Sequence, residues 1–107
     1  MKSVYAALFL TLTSVSHAES SATDGKVVFD QWCVHCHGPS SADHPGTKLL
    51  GQRLGIDKAQ LQKRSDLTTE YVQYIVRSGI FSMPFFRDTE ISDQQLKALA
   101  TYLAEKK

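Results

Sequence analysis

Two cysteines and a histidine lie close together in this sequence at a spacing that can do chemistry. Cys33, Cys36 and His37 form the pattern C-x-x-C-H, and the chain has no other cysteine. In this pattern two thiols add to the two vinyl groups of one porphyrin, and the histidine offers its imidazole to the iron. The motif therefore predicts one covalently attached haem c, held by Cys33 and Cys36, with His37 as an axial iron ligand.

Two other chemistries use the same residue types. A C-x-x-C pair is also the redox motif of thioredoxin-like proteins, but that motif belongs to a fold with strands, and the sequence shows no strand alternation. Zinc could be bound by Cys33, Cys36, His37 and His44, although no second pair of ligands follows at a recognisable spacing. Both are weaker hypotheses than haem attachment.

The N-terminus has the pattern of a secretory signal peptide. Lys2 precedes an apolar run from Val4 to Val15, and small residues occupy positions 16 and 18. This pattern predicts a signal peptide over residues 1–18, removed after Ala18, and a mature domain over 19–107 in the periplasm. The run is short for a membrane span, so no membrane span is expected after cleavage. Export fits the motif, because bacterial haem c attachment takes place outside the cytoplasmic membrane.

Size and charge narrow the class of protein further. The 89 residues that follow position 18 can form one small domain, and such a domain normally needs a disulfide, a metal or a cofactor for stability. Removing Lys2 leaves 11 basic residues against 11 acidic residues. This balance excludes a nucleic-acid-binding protein and a polybasic membrane protein.

The periodicity of the remaining sequence predicts an all-α fold. A first helix is expected from near Asp24 into the motif, with Val28 and Trp32 on its apolar face and Gly25 as a notch for close helix approach. The segment 39–55 has turn residues throughout and is predicted to be a loop, followed by a short helix from about 57 to 64.

Two more helices are expected in the second half of the chain. Thr68 is a suitable N-cap for a helix that ends at Gly79. Residues 80–91 lose the helical period and are predicted to be an apolar loop. A capping box from Ser92 to Gln95 then begins a last helix, whose apolar stripe is Leu96, Leu99, Ala100 and Leu103.

The order of these parts resembles the small single-haem cytochromes c of class I over essentially all of the mature chain. Beyond the haem motif, the likeness rests on the run from Gly25 to Phe29 before it and on the run from Leu99 to Leu103 near the end. The resemblance implies the class I fold of four to five short helices around one haem. It also implies that Gly25 and Phe29 meet Leu99 and Tyr102 where the first and last helices cross.

The same resemblance assigns two further site residues. Met83, in an apolar loop far downstream of His37, matches the methionine that binds the iron opposite the histidine in this family. Without the haem motif, a lone loop methionine would more often be core filler. Pro45 matches the proline whose carbonyl accepts a hydrogen bond from the ligand histidine and so orients it.

These assignments predict an electron carrier and not an enzyme. With His37 and Met83 on the iron, no position is open for a substrate, whereas one electron can enter and leave with little rearrangement. The expected partners are redox proteins. The stretch from Arg77 to Tyr102 resembles the cytochrome subunits of periplasmic flavocytochromes such as p-cresol methylhydroxylase. This likeness keeps open a tightly bound subunit of a flavin or quinone dehydrogenase, and a labile Met83 would instead give a haem enzyme or sensor.

Overall fold

The computed structural model describes residues 24–105 of the chain. The predicted signal peptide, residues 1–18, lies outside the described residues, as do Lys106 and Lys107. Over the described range the secondary structure is helical, and the only β-type pairing there is an isolated bridge between Ile80 and Met83. The all-α prediction is confirmed. The helices are α1 (Gly25–Trp32), α2 (Val34–His37), α3 (Pro45–Leu54), α4 (Thr69–Ser78) and α5 (Asp93–Ala104), with single-turn 3₁₀ helices at Ile56–Lys58 and Leu61–Lys63.

The first and last helices cross at Gly25, as the family resemblance implies. A Cβ atom on Gly25 would overlap the carbonyl oxygen of Ala98 and the Cβ atom of Tyr102. One turn later the rings of Phe29 and Tyr102 lie 6.1 Å apart between centroids. Phe29 and Leu99 are both fully buried in the same core. The absent side chain of Gly25 therefore lets α1 and α5 approach closely enough to bury these residues.

The boundaries of α4 and α5 follow the expected capping residues. The Thr68 side chain accepts a hydrogen bond from Tyr71 N at 3.2 Å, and Gly79 ends α4 with a positive φ of 68°. At the start of α5, Ser92 and Gln95 satisfy each other's backbone N–H groups in a capping box, with distances of 2.9 and 3.2 Å. Between the two helices, residues 79–92 form the loop that the lost helical period predicted.

The middle of the chain differs from the sequence-based expectation. Residues 39–55 were expected to form a loop, but α3 occupies most of this range. Pro45 is the reason: its fixed φ and missing N–H suit the first turn of a helix as well as a turn, and Gly55 ends the helix at a φ of 101°. The short helix expected from about 57 to 64 is likewise two separate single-turn 3₁₀ helices.

The hydrophobic core packs against the start of the motif, at Cys33 and Val34. It is built mainly by α1, α4 and α5, with Ile91 contributed by the loop before α5. Within residues 24–105, none of the helices has the length and apolar character needed to cross a membrane. The core residues are Val28, Phe29, Leu67, Val72, Val76, Ile91, Leu96, Leu99, Ala100 and Leu103.

Candidate haem site

The C-x-x-C-H motif folds into one tight turn at the end of α1. Cys33 ends α1, and its carbonyl oxygen accepts hydrogen bonds from the N–H groups of Cys36 at 3.1 Å and His37 at 2.8 Å. The residues from Val34 to His37 thereby form the short helix α2. Cys33 is half-buried and Cys36 is exposed. One helical turn thus presents two thiols and an imidazole from neighbouring positions.

The five residues predicted to form the site line one cavity. This cavity has a volume of about 300 Å³, which is within the usual size of small-molecule and cofactor sites. Its wall is mainly apolar, with contributions from α3, α4 and the loop before α5. The predicted site residues in its lining are Cys33, Cys36, His37, Pro45 and Met83.

His37 is held as a neutral imidazole beside Gly46. A Cβ atom on Gly46 would lie 2.8 Å from Cε1 and 2.9 Å from Nδ1 of His37, so only glycine allows this approach. Burial lowers the pKa of His37, because the apolar surroundings disfavour the charged ring. A neutral imidazole keeps the nitrogen lone pair that metal binding requires.

Nδ1 of His37 is buried and has no hydrogen-bond partner within the described part of the chain. The bond expected between this atom and the Pro45 carbonyl is therefore not formed in this structure. Pro45 nevertheless lines the cavity and directly precedes Gly46, the residue that lies against Nδ1. The orienting role of Pro45 stays a prediction.

Thr47 fixes α3 against the motif, a role that no sequence pattern indicates. Its hydroxyl donates a hydrogen bond of 2.6 Å to the carbonyl of Gly38, and the residue is buried. Because 39–55 was expected to be a loop, a buried threonine was not anticipated there. The contact places the start of α3, and with it Pro45 and Gly46, beside His37.

His44 is used in packing against the end of the motif. Its ring occupies the space that a side chain on Gly38 would fill, and its Nδ1 lies 2.7 Å from the Ser40 carbonyl oxygen. Among residues 24–105, no three His, Cys, Asp or Glu side chains are grouped so that they could hold a metal ion. The zinc alternative therefore has no ligand set here.

The environment of Cys33 also bears on the thioredoxin-like alternative. Burial, with a smaller contribution from the neighbouring Cys36, raises the pKa of the Cys33 thiol to about 12. Catalytic dithiols work as thiolates and need a lowered pKa at one cysteine. The raised pKa therefore argues against Cys33 as the reactive thiolate of such a pair.

The rest of the cavity wall fits a large apolar group that carries acidic substituents. The charged side chains in the lining, Arg53 and Arg64, are both cationic, and Arg64 is already paired with Asp66. The indole Nε1 of Trp32, another lining residue, is buried without a hydrogen-bond partner in the described range. Such an N–H group requires an acceptor, and carboxylates are the natural counterpart of guanidinium groups. An apolar porphyrin with propionates meets all three requirements.

Comparison with known proteins decides the family. The pattern of the family described as "Cytochrome C oxidase, cbb3-type, subunit III" matches residues 20–103. The chain belongs to this family of cytochromes c. The cofactor of the cytochrome is accordingly a c-type haem, and its chemistry is electron transfer.

Two similar proteins narrow the comparison. The cytochrome is 30% identical over 95 residues to the cytochrome c subunit of 4-cresol dehydrogenase (hydroxylating) from Pseudomonas putida, covering 89% of this chain and 71% of that one. It also matches a chain in the crystal structure of p-cresol methylhydroxylase with substrate bound. That match has a TM-score of 0.59 and 30% identity, and covers 79% of this chain and 95% of that chain. The resemblance to flavocytochrome subunits is thereby confirmed.

Proposed function

We propose that this cytochrome is a periplasmic one-electron carrier whose haem is attached through Cys33 and Cys36 and ligated by His37 and Met83. The convergence of these residues is the observation that supports the proposal. Met83 lies 46 positions after His37 in the sequence, yet both line the same apolar cavity. The fold therefore brings a soft thioether and a neutral imidazole to one site.

The side chains in this site suit electron transfer. When bound, the haem supplies a one-electron couple at its iron. His37 contributes a neutral nitrogen donor, and Met83 contributes a neutral sulfur donor that favours the reduced state and raises the reduction potential relative to two nitrogen ligands. The apolar wall limits the access of water, and the fixed helices around it reduce rearrangement when the charge changes.

Visible spectroscopy of the exported protein tests this ligation. The full chain is produced in a host with a haem-attachment pathway, beside Met83→Ala and a neighbouring control, Ser82→Ala. We expect covalently attached haem in all three proteins, with a sharp reduced spectrum in the wild type and in Ser82→Ala and a broadened one in Met83→Ala, whose iron loses a ligand. The weak sulfur-to-iron charge-transfer band of the oxidised form should appear in the wild type and in Ser82→Ala and be lost in Met83→Ala, whose reduction potential should fall.

Other outcomes of the same experiment would favour other functions. Covalent haem without the sulfur band in the wild type would contradict Met83 ligation and favour an open site with catalytic or sensing activity. Absence of covalent haem would contradict the attachment through Cys33 and Cys36.

The periplasmic location is tested by the mass of the mature protein. Cleavage after Ala18 predicts a mature chain that begins at Glu19 and carries the added mass of one haem. Recovery in the periplasmic fraction with this mass supports the proposal. An uncleaved chain in the membrane fraction would contradict it.

A second candidate is a tightly bound subunit of a periplasmic dehydrogenase. It is favoured by the relative from Pseudomonas putida, which is a subunit of 4-cresol dehydrogenase. Purification from the native cells distinguishes the two candidates. A flavin or quinone enzyme at a fixed ratio to the cytochrome would favour the subunit, whereas rapid electron exchange with several partners would favour a free carrier.

A further inference from the structure

Two sets of backbone hydrogen bonds hold the loop that carries Met83. The first set closes a tight turn within the loop, in which Ile80 and Met83 exchange hydrogen bonds of 3.1 and 2.9 Å. Beyond Met83, Pro84 has no N–H group to donate. The next backbone anchor is Phe86, whose N–H donates to the carbonyl of Val76 in α4 at 2.8 Å. The position of the Met83 sulfur therefore depends on the anchor at Phe86 as well as on the turn.

The side chain of Arg77 holds this second anchor. Its Nη1 donates to the carbonyl of Phe86 at 3.1 Å and to that of Ile91 at 2.9 Å. Its Nη2 donates to Asp93 at the start of α5, at 2.7 Å. One guanidinium group thus joins the end of α4, both ends of the segment 86–91 and the first turn of α5.

Two of these three contacts are in an environment that makes hydrogen bonds strong. The carbonyl contacts are charge-assisted and partly buried, since the Arg77 side chain is only 28% exposed. The carboxylate of Asp93 is 93% exposed, so solvent screens that ion pair. Both carbonyl groups are reached by Nη1, while Nη2 reaches Asp93. A lysine side chain is one atom shorter and ends near the position of the guanidinium carbon, so its single ammonium group cannot keep all three contacts.

Phe86 also connects this anchor to the haem motif. Its ring packs edge-on against Trp32 at 6.0 Å between centroids and an angle of 74°. Both rings lie in the lining of the cavity, together with Met83. A shift of Phe86 would therefore disturb the cavity wall and the backbone that follows Met83 at the same time.

We propose that Arg77 is a positioning residue that keeps Met83 on the haem iron. This inference rests on the proposed ligation by Met83. Loss of the guanidinium fork frees the backbone at Phe86, and the population in which the sulfur has left the iron then increases. Arg77 itself touches neither the haem nor a redox partner in this scheme.

Displacement of Met83 by imidazole tests the inference. Oxidised haem-loaded wild type and Arg77→Lys are titrated with imidazole at pH 7, and loss of the sulfur-to-iron band is followed. Imidazole binds only where the sulfur has left, so its apparent dissociation constant reports the strength of the Met83 contact. Loss of one charge-assisted hydrogen bond should lower that constant about tenfold in Arg77→Lys.

Two matched control variants distinguish the effect of losing the carbonyl contacts from the effect of changing an exposed charge. Asp93→Asn removes the exposed ion pair and keeps both carbonyl contacts. Arg87→Lys makes the same chemical change on an arginine of the same loop, which is 70% exposed and paired with Glu90. Both controls should keep the wild-type imidazole affinity within about twofold.

The outcomes distinguish this inference from the proposed function. A wild type with the sulfur band and an unchanged imidazole affinity in Arg77→Lys would overturn the role of Arg77 alone, even if the unfolding midpoint fell. A wild type without the band would overturn both proposals. A tenfold effect in Arg87→Lys as well would overturn the assignment to the Arg77 carbonyl contacts.

Discussion

Phe81 shows how one residue of the Met83 loop is held in an unfavourable conformation. It lies in the tight turn from Ile80 to Met83 and adopts a positive φ of 52°. For a bulky side chain this left-handed conformation costs about 1–2 kcal/mol. Its ring is 80% exposed and lies 4.0 Å from the guanidinium carbon of Arg53. An exposed cation–π contact contributes only about 0.5–1 kcal/mol, so the rest of the turn must impose the conformation.

The backbone strain at Phe81 predicts an unusual order of stability for two variants. Phe81→Ala loses the ring and keeps the strain, whereas Phe81→Gly loses both. We expect Phe81→Gly to be more stable than Phe81→Ala by about 1 kcal/mol, as measured by urea unfolding of the haem-loaded proteins. At Ser82, where φ is not positive, the glycine variant should be less stable than the alanine variant by about 0.5–1 kcal/mol. The same order at both positions would contradict the strain at Phe81.

Residues differ in how far the sequence alone could assign them. The types and spacing of Cys33, Cys36 and His37 are themselves the chemical pattern, so the local sequence is sufficient to predict the haem cofactor and to propose these residues for its attachment. Met83 needed a family resemblance, because only the folded chain brings it to the same cavity. Thr47 and Arg77 could not be found, because their contacts reach across the fold, from Thr47 to Gly38 and from Arg77 to the loop after α4 and the start of α5.

Among the elements, helices with clear caps were predicted well and the middle of the chain was not. Thr68, Gly79 and Ser92 begin or end helices by contacts within a few residues, so their effect can be read locally. Pro45 is compatible with a turn and with the first turn of a helix. What selects the helix α3 is its packing against the motif, including the Thr47 contact, and that requires the tertiary structure.

The crossing of α1 and α5 predicts a large effect at Gly25. Alanine there would overlap the backbone of Ala98 and the Cβ atom of Tyr102, neither of which can move easily. We expect Gly25→Ala to lower the free energy of unfolding by about 2 kcal/mol. Gly51→Ala in α3 is the matched control, because its nearest contact would be the Ala59 Cβ atom at 3.3 Å.

In Gly51→Ala the gain in helix propensity opposes a tight contact, so stability should change by less than about 1 kcal/mol. Denaturant unfolding of both variants measures the difference. Equal effects at Gly25 and Gly51 would contradict the close approach of α1 and α5.

An ion pair between the second 3₁₀ helix and α4 makes the stability of the fold depend on pH. Hydrogen bonds from Arg64 to Asp66, both 2.8 Å, hold the pKa of that carboxyl well below its usual range, with a weaker contribution from Lys58 at 3.4 Å. Because the folded pKa is depressed, the pair stabilises the fold above the unfolded pKa of Asp, about 4. That contribution is lost as the pH falls through the lower folded pKa.

The variant Asp66→Asn should therefore lose more stability at pH 7 than at pH 2, where part of the contribution of the pair has already gone. The side chain of Asp66 is 39% exposed, so screening limits the loss at pH 7 to less than about 1 kcal/mol. Urea unfolding of the wild type and Asp66→Asn at pH 7 and pH 2 measures this loss of stability. Asp88→Asn, which removes a carboxylate without an ion pair in the described residues, should show no such difference between the pH values. A loss in Asp66→Asn that is equal at both would contradict the Arg64 pairing.

At the scale of the whole molecule, basic and acidic residues are balanced in number, but the charged residues in the lining of the cavity are all basic. Cleavage after Ala18 would leave 11 basic and 11 acidic residues, whereas the cavity lining has the cationic side chains of Arg53 and Arg64. Asp66 already pairs with Arg64, so haem propionates would offset the charge of Arg53 and add a small negative charge. Neither the mature chain nor the haem face then has a large net charge to steer a partner over distances beyond the Debye length.

This balance predicts electron exchange that depends little on salt. Stopped-flow oxidation of the reduced protein by ferricyanide and by a tripositive cobalt complex tests the net charge with probes of opposite sign. Both rate constants should change by less than about threefold between 10 and 200 mM salt.

Opposite, steep dependences of the two rate constants on salt would mean that a local charge governs the approach of the probes. In that case Arg53→Gln should reduce the ferricyanide slope, and the partner would be expected to present an acidic surface. Weak slopes for both probes would instead favour short-range apolar contact as the basis of partner recognition.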